Sequence, residues 1–446
     1  MGTPEGAAPR AAGRSASPAR RRAVAILADF FGGGRRPLRL AREVAGLGDA
    51  DRDLARELVL GVLRWRSALD AEIARFSRFP LDRLKPPVRE ILETALFQLR
   101  FLERVPTRAA VHEGVAMARA QAGEGASRLV NGVLRSALRE PPRRLPESTP
   151  RELAEAFSHP AFLVERWTER FGAARTRAIL AADDERGRLH LLCDARRFPR
   201  DDVARRLLAE GVETAPLALA ENGLAVVSGN PIRTAAFRDG VCYVADAGSQ
   251  ALPFLLPPGD LLLDLAAAPG GKTASALFSG RFARVVSADL SPDRLAFFRE
   301  NRARMDLAAA LPVAADVLAA PFPARGFDRV LLDAPCSGTG TLRKNPEIRY
   351  RLTPAAVDAM ADAELRLVAG AAALVAPGGY LLYSTCSLEE EENERVAAAL
   401  VAADPSMRLS PIDPPEALRK NVSGAVFRLF PDEGADGFTA HLFRRE

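Results

Sequence analysis

Two cysteines share nearly the same local setting. "RVLLDAPCSGTGT" carries Cys336 just past one apolar run, and fifty positions on, "YLLYSTCSLEEEENE" carries Cys386 just past another. A thiol at a strand end, directly before a helix start, sits where the helix dipole favours the thiolate, the nucleophilic form of cysteine. Ser387 and Glu390 read as an S-x-x-E capping box that would begin such a helix behind Cys386. The glutamates Glu389 to Glu392 oppose this by crowding negative charge into the first turn, so they are expected to point away from the sulfur. The two stretches read as two halves of one active site.

A third stretch, "LLLDLAAAPGGKTA", runs from a strand through Ala266, Ala267, Ala268, Pro269, Gly270, Gly271 and Lys272 into a helix. Its glycines let the backbone approach a ligand closely and free the N–H groups at the helix start. Neither a dinucleotide G-x-G-x-x-G nor a P-loop can be written there, which removes nicotinamide dehydrogenases and P-loop NTPases. Asp289 closes "VVSADLSP" roughly twenty residues later, where a carboxylate can accept both hydroxyls of a ribose. That suits an adenosine. Asp316, ending "LPVAAD", is placed to read the adenine amino group if a third strand ends there.

The elements that must hold these groups follow from the apolar pattern. "DLLLDLAA", "RVVSADL", "RVLLDAP" and "GYLLYSTCS" are continuous apolar runs alternating with helical patterns, the mark of a parallel sheet covered on both faces. Ligands bind beyond the C-terminal strand ends of such sheets, and each group above sits at one.

Upstream, Leu54, Leu58, Val62, Trp65 and Leu69 recur at helical spacing, as do Val88, Ile91, Leu92, Ala95, Leu99 and Leu102, so an all-α bundle is expected. Arg52, Arg56, Arg64 and Arg66, then Arg128, Arg135 and Arg139, recur on its polar faces and read as solvated. "EPPRRLPESTP" reads as a linker, and "RLHLLCDA", "GLAVVSG" and "GVCYVAD" as strands of an irregular α/β region. The expected division is a disordered basic tail over 1–22, a helical domain over 23–141, a linker over 142–152, an α/β subdomain over 153–240 and a ligand-binding α/β domain over 241–446.

Composition sets the remaining bounds. In 446 residues, Lys+Arg 62 against Asp+Glu 57 is a mild positive excess that raises the prior for a polyanionic partner. Four scattered cysteines make no disulfide framework, and four isolated histidines show no zinc spacing, so no metal is expected and a reducing cytosol fits best. The N-terminal stretch lacks an apolar h-region and is read as neither a secretory signal nor a membrane span. Cys193 and Cys242 read as small buried hydrophobes.

"LAAAPGGKT", "DAPCSGTGTLRKNPEIRYR", "YSTCSLEEEENE" and the late "DGF" of Asp436 to Phe438, in that order, resemble the S-adenosylmethionine-dependent RNA cytosine-C5 methyltransferases. The helical half, through "DRDLARELVLGVLRWRSALD", "ILETALFQLRFLERVPTRAAVHE" and "LVNGVLR", resembles a NusB-type RNA-binding domain. This domain order is similar to that of the bacterial 16S rRNA methyltransferases called RsmB or Sun.

The resemblance implies a Rossmann-like class I methyltransferase domain behind an RNA-recognition-like middle region, S-adenosylmethionine held by Ala266 to Lys272, Asp289, Asp316 and Asp333, and 16S rRNA as partner of a cytoplasmic monomer. It also implies roles. Cytosine C5 is too weak a nucleophile to take a methyl from a sulfonium unaided, so a thiolate, here Cys386, adds at C6; Cys336 assists product release and Asp333 steadies the flipped base or the cofactor. tRNA or 23S rRNA as substrate, or an inactive RNA-binding factor on a decayed fold, are the alternative readings. Two departures stand out: Ala266 replaces a usual cysteine, and "RLHLLCDARRF" lacks the Arg-x-Asn expected at the start of the middle region.

Overall fold

The Ser17 side chain accepts the Arg20 N–H and Pro18 fills the first turn, so the first helix starts at Pro18 and runs to Gly32. This structure is a computed structural model that describes residues 16–33 and 37–446. The tail expected over 1–22 is therefore helical from Pro18, and its first fifteen positions lie outside the described residues.

Helices Pro18–Gly32, Asp49–Phe76, Val88–Phe101 and Thr107–Arg139 follow. Their apolar stripes close on one core that includes Leu27, Phe30, Leu58, Val62, Leu69, Ile91, Leu92 and Val133. Each such side chain removed from water contributes about 1.5–3 kcal/mol, which is what holds helices of modest propensity together. Arg64 and Arg66, expected on a solvated face, are buried. Arg66 stacks 3.3 Å from the Phe31 ring centroid and pairs with Glu93 at 2.9 Å, so charge and ring replace the lost water.

The chain falls into two compact units. The first runs to Leu180 and takes in Asn345–Arg351; the second holds Ala181–Lys344 and Leu352–Glu446. Residues 153–180, expected with the middle region, pack with the helical unit, where Leu163, Val164 and Trp167 are buried. The linker is shorter than expected: Thr149 and Glu152 form a capping box and a helix starts at Pro150. Asn345–Arg351 is likewise a helical-unit segment. The Tyr350 hydroxyl donates to the Leu63 carbonyl at 2.7 Å, and Arg349 donates to the carbonyls of Arg64 and Phe157.

The second unit carries two sheets. β1 (His190–Cys193), β2 (Glu213–Pro216), β3 (Gly223–Ser228) and β4 (Cys242–Val244) form an antiparallel sheet in the order β2-β3-β1-β4. A boundary at 240 would sever β4 from its partner β1, so the middle sheet extends to Val244. Cys193 and Cys242 face each other across that pair, both buried.

The larger sheet contains β5 (Gly259–Leu265), β6 (Phe282–Asp289), β7 (Ala310–Ala314), β8 (Phe327–Asp333), β9 (Val375–Thr385), β10 (Met407–Leu409), β11 (Val422–Ser423), β12 (Val426–Leu429) and β13 (Phe438–Arg445). Its order is β11-β12-β13-β9-β8-β5-β6-β7, with β10 paired to β13. β7 to β9 run parallel through β6, β5 and β8, while β13 joins β9 antiparallel, so the sheet is mixed rather than wholly parallel. Strand alternation serves two cores: Leu262, Leu331 and Leu382 enter one, and Leu263, Leu332 and Tyr383 the other. Strand order reverses between β5 and β8, the position at which sheets of this kind bind ligands.

Candidate active site

The loop after β5 is held open by its neighbours. Ala266 adopts φ +58°, and Gly270 takes φ +103° with the Phe298 ring packed so closely that a Cβ would stand 2.1 Å from it. The Tyr243 hydroxyl donates to the Pro269 carbonyl at 2.7 Å, and the Ala268 N–H donates to Asp289 Oδ2 at 3.0 Å. Gly271–Phe278 then forms the following helix. Beneath the loop, buried Asp264 accepts the Thr273 hydroxyl at 2.6 Å, and Thr273 also meets Ser287 at 2.9 Å. Burial, only partly offset by Lys272 and Thr273, pushes the Asp264 carboxyl up to about 6.

Asp289 ends β6 with its other oxygen accepting the Ser291 N–H at 2.9 Å. Each oxygen keeps a lone pair for a further donor. β7 stops at Ala314, two residues short of Asp316, which accepts the Leu318 N–H at 2.9 Å. The expected strand end at Asp316 is therefore a turn.

Lys272 ties this loop to β8, its Nζ lying 2.6 Å from Asp333 Oδ2. Burial would lower the Lys272 ammonium, but the charges of Asp333 and Asp264 outweigh it and hold the group above its ordinary value. Asp333 Oδ1 accepts the Ser384 hydroxyl at 2.9 Å, so β8 and β9 are joined at their ends.

Past those ends the two predicted cysteines meet, with Cys336 Sγ 3.1 Å from Cys386 Sγ; both are free thiols. The Gly340 N–H donates to the Cys386 carbonyl at 2.9 Å, and Gly437 of the "DGF" segment donates to the Gly340 carbonyl at 2.7 Å. The Cys336 thiol is pushed well up by its hydrogen bond to Cys386, by burial and by the nearby Glu392 carboxylate.

Two expectations about this region are corrected. Ser387 and Glu390 form no capping box: the Ser387 hydroxyl accepts the Glu389 N–H and donates to Glu392, while exposed Glu390 pairs with Arg395. A π turn over Glu391–Arg395 precedes the helix Val396–Ala403. Nor do all the glutamates turn outward. Glu389, Glu391 and Glu392 are all buried, and the Glu392 carboxylate accepts the Ser337 N–H at 2.6 Å.

A further cluster carried no role in the sequence reading. Lys344 Nζ lies 2.6 Å from Asp246 and 2.9 Å from Asp436, and the Asp436 N–H donates to Asp246 at 3.1 Å. Burial and the charge of Asp246 push Asp436 up to about 6. This lysine ties "VADAGSQ", "LRKN" and "DGF" together. The three motifs themselves were the only signal, since their residues lie nearly two hundred positions apart.

Comparison with known proteins adds to this geometry. A profile described as 16S rRNA methyltransferase RsmB/F matches residues 254–444, one described as the NusB family matches 17–139, and a RsmF/B-like ferredoxin-like domain matches 159–233. The probable ribosomal RNA small subunit methyltransferase B of Bacillus subtilis is 33% identical over 423 residues, covering 90% of this chain and 92% of the relative. The chain belongs to the ribosomal RNA small subunit methyltransferase B family. The family member of Vibrio cholerae is 31% identical, covering 87% of this chain and 88% of its own. A methyltransferase homolog from Pyrococcus horikoshii shares the fold at TM-score 0.55 and 24% identity, over 67% of this chain and 99% of its own.

S-adenosylmethionine is the cofactor of this RsmB/Sun-type family. The donor set suits it: an ammonium at Lys272 for a carboxylate and spare lone pairs on Asp289 for a ribose diol, while Asp316 lies just past the end of β7, the strand beside β6. Among the described residues no group of histidine, cysteine and acidic side chains could hold a metal, and no helix is long and apolar enough to cross a membrane.

Proposed function

We propose that this protein methylates C5 of a cytosine in 16S rRNA through a covalent adduct between Cys386 and C6. The observation that carries the reading is the 3.1 Å separation of the Cys336 and Cys386 sulfurs at the strand ends beside the Lys272–Asp333 pair. S-adenosylmethionine, when bound, supplies the electrophilic methyl group.

Cys386 attacks as the thiolate. Its lone pair forms the S–C6 bond, and the C5–C6 π pair makes C5 nucleophilic. After methylation the C5 proton leaves to water, its electron pair restores the C5–C6 double bond, and the C6–S bond breaks toward sulfur. Cys336 keeps its proton and donates it as a hydrogen bond to the Cys386 sulfur, which steadies that sulfur both as attacker and as leaving group. Asp333, held by Lys272 and Ser384, offers its remaining lone pairs to the amino group of the base. A base stacked in a duplex cannot reach these sulfurs, so the target is single-stranded or flipped out.

The helical unit supports an RNA partner. Arg78 and Arg128 line one groove beside helix Thr107–Arg139, while Arg108, His112 and Arg135 line another, with no acidic side chain among the lining residues of either. Cations so placed suit phosphate contacts, which position without reading sequence. The names of the relatives favour 16S rRNA over tRNA or 23S rRNA. The chain is read as a cytoplasmic monomer.

The test is transfer of labelled methyl to separated 16S rRNA, 23S rRNA and tRNA, with Cys386→Ala beside the wild type. Label confined to 16S cytosine C5, and absent with the variant, is the expected result. Full methylation by Cys386→Ala would sink the nucleophile assignment, and label in tRNA alone would move the substrate.

A further inference from the structure

Glu392 is wholly buried behind the two cysteines. Its carboxylate accepts the Ser337 N–H at 2.6 Å, the Ser337 hydroxyl at 2.5 Å and the Ser387 hydroxyl. Ser337 follows Cys336 and Ser387 follows Cys386, so one carboxylate grips the residue next to each thiol. The Tyr383 hydroxyl donates to the Glu392 carbonyl at 2.5 Å and fixes the turn that carries it.

We infer that Glu392 is a positioning residue that sets the register of the two cysteine loops and makes the thiols unequal, so that the negative charge resides on Cys386 while Cys336 keeps its proton. This rests on the reading of the two cysteines as the working pair. Sulfurs 3.1 Å apart form a hydrogen bond only with a proton between them, and the surroundings decide which sulfur owns it. Glu392 takes two of its three accepted hydrogen bonds from the Cys336 loop and one from the Cys386 loop. Glu392 bonds directly to the backbone and hydroxyl of its neighbour Ser337, and buried Glu364 on helix Pro354–Ala373 lies behind. Two acids this close do not both ionise. Glu364 is pushed up to about 10 by burial and by Glu392, so it carries the proton; burial raises Glu392 as well, but its bonds from Ser337 and Ser387 work against that rise and favour the charge there. On the other side Lys272, paired with Asp333, is close enough for its ammonium to feel Cys386. The cation thus favours charge on Cys386, and the anion opposes it on Cys336.

The experiment needs no RNA, so its failure is distinct from failure of the methylation assay. The full chain is alkylated with iodoacetamide over about pH 6 to 10, where thiolate rather than thiol reacts, and each cysteine is followed by mass spectrometry. In the wild type Cys386 is expected to react at least about tenfold faster than Cys336 near neutral pH. Glu392→Gln keeps one acceptor oxygen for the two serine hydroxyls and removes the charge, so the ratio should fall at least about fivefold, chiefly because Cys336 speeds up. A wild-type ratio near one overturns the inference whether or not the variant folds. So does an unchanged ratio in folded Glu392→Gln, since a merely structural role would leave thiol reactivity alone.

Discussion

Lys272 Nζ lies 2.6 Å from Asp333 Oδ2, which joins the cofactor loop to the strand that leads to Cys336. Both groups are largely buried, so neither charge is well solvated without the other. Lys272→Ala is expected to weaken S-adenosylhomocysteine binding about tenfold or more, a loss of about 1.4 kcal/mol. Titration calorimetry on the full chain checks this; unchanged affinity would remove Lys272 from the cofactor site.

The fully buried Asp264 carries a pH prediction. Its folded carboxyl titrates at about 6, above the ordinary carboxylate value, because burial outweighs Lys272 and Thr273. A group raised on folding adds stability that is complete below its unfolded value near 4 and is lost as pH rises through about 6. Two units correspond to about 2–3 kcal/mol at most. Asp264→Asn keeps an acceptor for Thr273 and cannot titrate. Between pH 5 and 8 the wild type should therefore lose more resistance to urea than the variant does. Parallel losses would mean that Asp264 is ionised throughout.

The features legible in the sequence were those with one physical cause. β5, β6, β8 and β9 were readable because a strand buried on both faces must be apolar throughout. Their ends were readable because "APGGK", "PCSGTG" and "TCS" break that pattern abruptly. The behaviour of Glu392 was hidden: three of the four glutamates in the run are buried, and only the folded turn brings one of them to the cysteine loops. Ser387 had two possible partners, and the buried carboxylate two positions beyond Glu390 won over the solvated one. β13 was unreadable as a strand of this sheet, since an antiparallel partner for β9 from the far C-terminus is a purely long-range choice.

Tyr350 shows a motif divided between roles. "DAPCSGTGTLRKNPEIRYR" begins beside Asp333 and ends in the helical unit, where Tyr350 packs edge-on to Phe31 at 5.3 Å. Tyr350→Phe leaves the Leu63 carbonyl without its donor and should cost about 1 kcal/mol, seen as a lower urea midpoint. Tyr350→Ala, which also empties the ring's place, should cost about 3–5 kcal/mol. Equal effects of the two would mean that the ring contributes nothing to packing.

Gly340 fixes the height of Cys336 relative to Cys386. A Cβ at Gly340 would stand 2.4 Å from the Gly437 carbonyl oxygen, so any side chain must part the "DGF" segment from the Cys336 loop. The same shift would stretch the Gly340 N–H bond to the Cys386 carbonyl, which is 2.9 Å long. The nearest neighbours a Cβ would meet at these glycines belong to Gly340, Gly437, Leu388 and Pro431, none of them in the cofactor loop. Gly340→Ala is therefore expected to lower the methylation rate about a hundredfold, because misplacing reacting groups by about 1 Å has that effect, while S-adenosylhomocysteine affinity stays within about twofold. Single-turnover methyl transfer measured beside calorimetry separates the two. A variant with normal turnover would show that the glycine contact serves stability alone; one that loses cofactor affinity in step with rate would show that the two loops are coupled.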